Sequence, residues 1–258
     1  MSRLRASLVL LGFAGLTLPL MPVQQMFVWF WPAMARRFPM HYHRVVLKIL
    51  GVRVKIAGEA LKSGPVIFAA NHVSWLDIVI LSSMAPLSFV AKRDVNGWPF
   101  FGSLARLQRT VFVDRERRSG TGTSRDEMRE RLDAGDMLVL FAEGTSGDGA
   151  RVLPFKSAFF AAADAPDVKV QPVSIAYAGH RNLPMTRRLR PLYAWYGDMD
   201  LAPHLWEALA HGPIEVNLIC HAPLSMADLG NRKLLAKTVE DTVRQGLVHS
   251  LHGDSKIS

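Results

Sequence analysis

Cysteine is almost absent from this 258-residue chain: the single thiol, Cys220, rules out an internal disulfide and any metal cluster built on cysteine. It reads as a buried core residue, and the scarcity of thiols suits a reducing, cytosol-facing domain. Acidic residues are also few. The 22 Asp and Glu against 31 Lys and Arg leave a formal charge of +9 and a pI near 10.0, which calls for an acidic partner surface: anionic lipid headgroups, nucleic acid or an acidic carrier protein. No stacking platform or nucleic-acid motif accompanies that charge, so lipid fits best and no nucleic-acid partner is expected. Internal repeats, low-complexity segments and a Gly-x-Ser-x-Gly elbow are all missing. The histidines lack metal-ligand spacing with carboxylates, so no metal is expected, and His41-x-His43 reads as a pair at a membrane interface. With 49% hydrophobic and 21% charged residues, one core-bearing domain with a terminal extension is the simplest organisation.

Charge is missing altogether from Ala6 to Ala35, between Arg3 and Arg5 on one side and Arg36 and Arg37 on the other. A straight membrane span needs only about 20 apolar residues. Pro19, Pro22, Gln24 and Gln25 interrupt the stretch, and Trp29, Phe30 and Trp31 form an aromatic cluster suited to the headgroup level. The favoured reading is a short helical pair that dips into one leaflet and turns back at the Pro/Gln break, leaving both arginine-flanked ends on the cytoplasmic side. A cleaved signal peptide, with Ala33-Met34-Ala35 as its site, is disfavoured by the length of the apolar region. A single tilted span would carry everything after Arg36 across the membrane.

Beyond the extension, apolar runs alternate with amphipathic stretches. Strands are expected at Val52–Ile56, Val66–Ala70, Leu87–Ala91, Thr110–Val113, Met137–Phe141, Val170–Ala176, Leu192–Tyr196 and Ile214–Cys220. Helices are expected at Trp75–Met84, Phe100–Leu107, Arg125–Leu132 and Lys233–Leu251. The implied fold class is α/β: a mixed, mostly parallel sheet flanked by helices, with an N-terminal membrane-embedded helical pair. Reactive residues then gather at strand ends.

One such end carries chemistry. Asn71-His72-Val73-Ser74-Trp75-Leu76-Asp77 places an imidazole and a carboxylate five positions apart, where the strand Val66–Ala70 gives way to a helix N-capped by Ser74. From the first helical turn Asp77 can reach back to one imidazole nitrogen, fixing the tautomer and balancing the imidazolium. The other nitrogen is then free to take a proton from a hydroxyl. A hydrolase would use the same pair on water, and a non-catalytic lipid-binding module would have no need of it.

Asn71-His72-x4-Asp77 resembles the first signature block of the glycerolipid acyltransferases, which include the 1-acylglycerol-3-phosphate acyltransferases. Arg109 to Arg115 (RTVFVDR) resembles the second, Phe141 to Ser146 (FAEGTS) the third and Val170 to Ile175 (VQPVSI) the fourth, in the family's order. The resemblance implies a membrane-anchoring segment over 1–40 and an acyltransferase domain over 41–258. It implies direct transfer of an acyl group from an acyl thioester, acyl-ACP or acyl-CoA, to a lysolipid hydroxyl, with His72 as base, Asp77 as its orienting acid and no resident cofactor. Glu143, Gly144, Thr145 and Arg115 are implied as acceptor contacts. Lys92 and Arg93 are candidates for a donor or lipid phosphate, and Lys156 is a weaker one. Many phosphatidate-forming members carry arginine directly after Glu-Gly-Thr, where it forks onto the acceptor phosphate. Here the position is Ser146, and Arg151 stands in reserve. Glu143 to Gly149 and Trp195 to Met199 are similar to the proteobacterial lyso-ornithine lipid O-acyltransferases. That subgroup implies the bacterial inner membrane, with the catalytic domain on its cytoplasmic face.

Overall fold

A computed structural model describes residues 2–113 and 120–252 of the chain. Most of the uncharged stretch lies in α1 (Ser2–Phe30), one helix about 43 Å long at 1.5 Å per residue. Pro19 and Pro22 lie inside it without ending it, so the turn expected at the Pro/Gln break is not there. Of the polar side chains that suggested a break, that of Gln24 is tied to neighbouring backbone, and Thr17 binds across to the next helix. Gln24 Nε2 donates to Ala35 O (3.0 Å) and Leu107 O (2.9 Å), and the hydroxyls of Thr17 and Tyr42 share a hydrogen bond of 2.7 Å.

The chain turns instead at Trp31 (φ −137°, ψ 75°), because Pro32, which opens α2 (Pro32–Leu50), disfavours helical backbone at the residue before it. The two helices pair antiparallel, and their tip exposes Trp29, Phe30, Trp31 and Met34. The arginines consequently part company. Arg5 donates to Leu50 O and Leu209 O at the open end of the hairpin, whereas Arg36 donates to Ala134 O (2.6 Å) and pairs with Asp136 (2.9 Å) near the tip. Along α1, Leu4, Leu8, Leu11, Leu18 and Met26 form an exposed apolar stripe at helical spacing. By length and composition, Arg3–Phe30 is apolar enough to cross a membrane.

After the hairpin come β1 (Val52–Ala57), β2 (Val66–Ala70), α3 (Leu76–Met84), β3 (Leu87–Lys92), α4 (Phe101–Leu107), β4 (Val111–Val113), α5 (Gly120–Asp133) and β5 (Met137–Phe141). The chain closes with β6 (Lys169–His180), β7 (Leu183–Pro184), α6 (Leu201–His211), β8 (Ile214–Cys220), α7 (Met226–Leu229) and α8 (Arg232–His252). The sheet runs β1-β8-β6-β2-β5-β3-β4, with β7 paired to β6. Strands β2 to β6 are parallel and β1 and β8 run the other way, so the sheet is mixed and mostly parallel, as expected. Both faces are covered, which is why β2 reads as an unbroken apolar run. Phe68 and Ala70 enter the core beneath α2 and α3, while Ile67 and Ala69 enter the one beneath α5 and α8.

Two local expectations fail. Leu192–Tyr196 is not a strand: Arg190–Leu192 forms a 3₁₀ turn containing Pro191, which has no N–H for a ladder, and the chain then crosses the end of the sheet with Trp195 N–H donating to Val73 O at 2.9 Å. His43 is not at an interface but in the core between α2 and α3, where its Nδ1 meets Ser82 Oγ at 2.9 Å. Cys220 is buried, as its apolar surroundings suggested, and burial pushes its thiol up to about 11.

Candidate active site

Sheet register assembles the site. Ala70, the last residue of β2, pairs with Phe141 of β5 and with Val173 of β6. Two residues beyond Ala70 and Phe141 stand His72 and Glu143, so equal overhangs on neighbouring parallel strands bring them side by side. The His72 N–H donates to Glu143 Oε2 at 3.0 Å. Asn71 ties the same overhang to β6: its Nδ2 donates to Ile175 O (3.0 Å) and its Oδ1 accepts from Ile175 N (2.8 Å).

Helix α3 then starts at Leu76, with Trp75 rather than Ser74 as the capping position and no side-chain cap from it. The carboxylate of Asp77 does the capping from inside the helix. Its Oδ2 accepts from Val73 N (2.6 Å), Ser74 N (2.9 Å) and His72 Nδ1 (2.8 Å). With Nδ1 donating to a carboxylate, the neutral ring must carry its free lone pair on Nε2. Nε2 has no hydrogen bond among the described residues, and the His72 side chain is 18% exposed while that of Asp77 is 0%. Phe141 stacks on the imidazole (centroids 3.9 Å apart, planes at 14°) and holds the ring's orientation.

The second oxygen of Asp77 is also occupied. Tyr177, on β6 and buried, donates its hydroxyl to Asp77 Oδ1 at 2.8 Å, and burial followed by the charge of Asp77 pushes that phenol upward. Neither Tyr177 nor Phe141 was singled out from the sequence. Tyr177 stands at the end of the β6 apolar run, where only the pairing of β6 with β2 reveals that it reaches α3.

Glu143 lies beside the imidazole turn and is enclosed by the protein. It is 3% exposed, and both its oxygens accept backbone N–H groups, from His72 and from Leu153 (2.9 Å). A carboxyl so enclosed ties two loops of this protein to each other. Burial, partly offset by those two N–H groups, raises its pKa to about 8. Gly144 follows with φ +78°, and a Cβ there would lie 2.9 Å from Lys156 Nζ, so the turn closes only on glycine. Lys156 is thereby the cation placed directly over this turn.

Thr145 is exposed beside it, and Gly147 N–H donates to His72 O at 2.8 Å. Lys92 and Arg93 are exposed at the end of β3, on the same edge of the sheet. Arg151 is exposed in the loop that follows. Arg115 lies outside the described residues. Among the described residues no three His, Cys, Asp or Glu side chains come together as metal ligands.

An imidazole held by a buried carboxylate at the carboxyl edge of a parallel sheet, with its other nitrogen open, has the arrangement a general base for an incoming hydroxyl or water requires. Comparison with known proteins names the reaction. Residues 52–176 match the family model Acyltransferase. Over 97% of this chain and 96% of the relative, 43% of residues are identical to a lyso-ornithine lipid O-acyltransferase from Brucella abortus; the figures for one from Rhizobium meliloti are 42% identity over 93% and 85%. A 1-acyl-sn-glycerol-3-phosphate acyltransferase from Neisseria meningitidis is 31% identical over 83% of this chain and 82% of its own. The crystal structure of the 1-acyl-sn-glycerophosphate acyltransferase from Thermotoga maritima shares the fold, with a TM-score of 0.70 over 96% and 97% of the two chains at 22% identity. The chain belongs to this family of glycerolipid and lysolipid acyltransferases, and it is an acyltransferase of lysolipids.

Proposed function

We propose that this enzyme moves a fatty acyl group from acyl-ACP or acyl-CoA to the hydroxyl of lyso-ornithine lipid, ahead of 1-acyl-sn-glycerol-3-phosphate, at the cytoplasmic face of the bacterial inner membrane. The observation that carries the chemistry is the 2.8 Å contact of His72 Nδ1 with the buried Asp77, which leaves Nε2 as a base. Nε2 takes the hydroxyl proton as that oxygen attacks the thioester carbonyl. The tetrahedral intermediate collapses with loss of the thiolate, and the imidazolium returns the proton to sulfur. Asp77 balances the transient positive charge. No enzyme nucleophile is required, because the acceptor itself attacks.

The ornithine reading is supported by the higher identity to relatives of that name and by Ser146 in place of an arginine. Membrane attachment is supported by the exposed α1 stripe and the aromatic hairpin tip, which suit the bilayer interface. Aromatic contacts lie between that helix and the turn of the base: Phe13 meets Phe100 (6.4 Å between centroids), Trp98 meets Trp195 (6.2 Å), and the backbone N–H of Trp195 donates to Val73 O. Purified enzyme given labelled acyl-ACP or acyl-CoA, with both acceptors offered side by side, tests the reading. His72→Ala should lose at least ~100-fold in rate. Acylation of lysophosphatidate alone would overturn the acceptor assignment.

A further inference from the structure

Arg190 is the most unusual charge in the molecule. It is only 8% exposed, its Nε has no hydrogen-bond partner, and its side chain forms no ion pair among the described residues. Arginines this buried are almost always paired, because an uncompensated charge away from water is expensive. Its place is informative. Gly149, at φ +71°, is so close that a Cβ there would stand 3.3 Å from Arg190 Cδ and 2.9 Å from Val73 Cγ1, the residue next to the base. The Gly149 loop is bonded to His72 through Gly147, and the segment leaving Arg190 is bonded to Val73 through Trp195.

The stem of Arg190 therefore packs on the Gly149 loop beside Val73, and its charged head lies close to the catalytic turn without a bonded partner among the described residues. Asp148, half-buried, stands between the two glycines. Its Oδ1 accepts Ala150 N–H at 2.9 Å, and its charge acts on Arg190 without an ion pair forming between them. Burial works against the charged guanidinium and Asp148 works for it.

We propose that Arg190 and Asp148 are the headgroup site of the acceptor: the guanidinium takes a carboxylate, and Asp148 takes an ammonium group of the same molecule. This rests on the reading of lyso-ornithine lipid as acceptor, whose headgroup carries one carboxylate and one ammonium. A lysophosphatidate headgroup has no cation for Asp148 and is repelled by it. Arg190 thereby supplies the charge that Ser146 lacks, from a desolvated position where a bidentate contact is stronger than at the exposed Arg151. In sequence Arg190 is hidden as the last cation of Arg187-Arg188-Leu189-Arg190, a run that reads as a solvated face.

The test uses the full-length enzyme in mixed micelles, one thioester donor, and each acceptor over a range of concentrations. Arg190→Met keeps the packing stem and removes the charge. It should raise KM for lyso-ornithine lipid roughly 10-fold or more, leave kcat nearly unchanged, and leave Tm equal or higher because a buried unpaired charge is gone. Arg190→Lys should recover part of the KM. Asp148→Asn should weaken lyso-ornithine lipid and strengthen lysophosphatidate relative to the parent enzyme. An unchanged KM in Arg190→Met, or a loss of Tm and kcat together, overturns the assignment, as does an Asp148→Asn effect equal for both acceptors. If the parent enzyme acylates lysophosphatidate alone, the acceptor reading itself falls, and Asp148's part with it.

Discussion

Asparagine at position 77 isolates the charge of the orienting acid from its geometry. Asp77 Oδ2 accepts three donors, His72 Nδ1, Val73 N and Ser74 N, and Oδ1 accepts one, the hydroxyl of Tyr177. An amide oxygen can take over the three-donor position while its NH2 faces Tyr177, whose hydroxyl then accepts instead of donating. The turn and the histidine tautomer survive in that arrangement. What is lost is the negative charge beside the imidazolium as it forms. A hydrogen bond to a charged partner contributes about 1 to 2 kcal/mol more than a neutral one, so kcat should fall roughly 5- to 30-fold with little change in either KM.

The reversed amide would set N–H against N–H at Val73 and Ser74, so the larger losses that follow a wrong tautomer are not expected. Initial rates of acyl transfer from a labelled thioester, with Tm measured in the same detergent, read the outcome. His72→Ala combined with Asp77→Asn should be no slower than His72→Ala alone, since the acid acts through the base. A Tm equal to wild type with kcat within about 3-fold would refute the reasoning, because Asp77 would then serve only to cap α3.

Glu143 makes stability depend on pH. Its carboxyl holds its proton up to about 8 in the folded enzyme and only to 4.5 in the unfolded chain, so the folded state binds more protons between those values. That contribution is complete below the lower value and disappears as pH rises through the upper one, with a slope of at most about 1.4 kcal/mol per pH unit. Thermal unfolding from pH 5 to 9 should show a steeper decline for wild type than for Glu143→Gln; parallel curves would exclude Glu143 as the source.

Tyr177→Phe leaves Asp77 Oδ1 buried without its donor and should cost about 1 to 3 kcal/mol together with a several-fold loss of kcat, measured by unfolding and initial rates. Gly246→Ala would put a methyl 2.3 Å from Ser174 Oγ and 2.6 Å from His221 Nε2, forcing α8 off the sheet. A fall in Tm of roughly 2 to 4 °C for each kcal/mol lost is expected, and an unchanged Tm would show that the helix yields freely. Replacing Trp29, Phe30 and Trp31 together by serine should shift the protein from the membrane fraction towards the soluble one, while activity on micellar substrate survives.

Much of the fold is legible in the chain because the central parallel strands are buried on both faces and must be apolar throughout. Val66–Ala70 and Met137–Phe141 can be bounded to the residue for that reason, whereas Ile214–Cys220 is legible from alternation, with Glu215 and Asn217 on its less buried face. The His72–Asp77 pair is legible too, since five residues across a strand-to-helix turn bring the two side chains together by local geometry alone. The hairpin was misread because proline and glutamine inside α1 look like a break until Ala35 and Leu107 are known to satisfy Gln24, whereas Pro32 did mark the true turn.

The amino-acid order by itself determined the alternation of strands and helices, the uncharged extension and the base with its acid, because each depends on residues within a few positions of one another. Only the tertiary structure decided that Glu143 faces the backbone of His72, that Tyr177 secures the far oxygen of Asp77, and that Arg190 stands near the catalytic turn without an ion pair among the described residues. These are contacts between segments 71, 100 and, for Arg190 against Gly149, 41 residues apart. They exist only once sheet register has set which strand ends are neighbours, and no local periodicity encodes that.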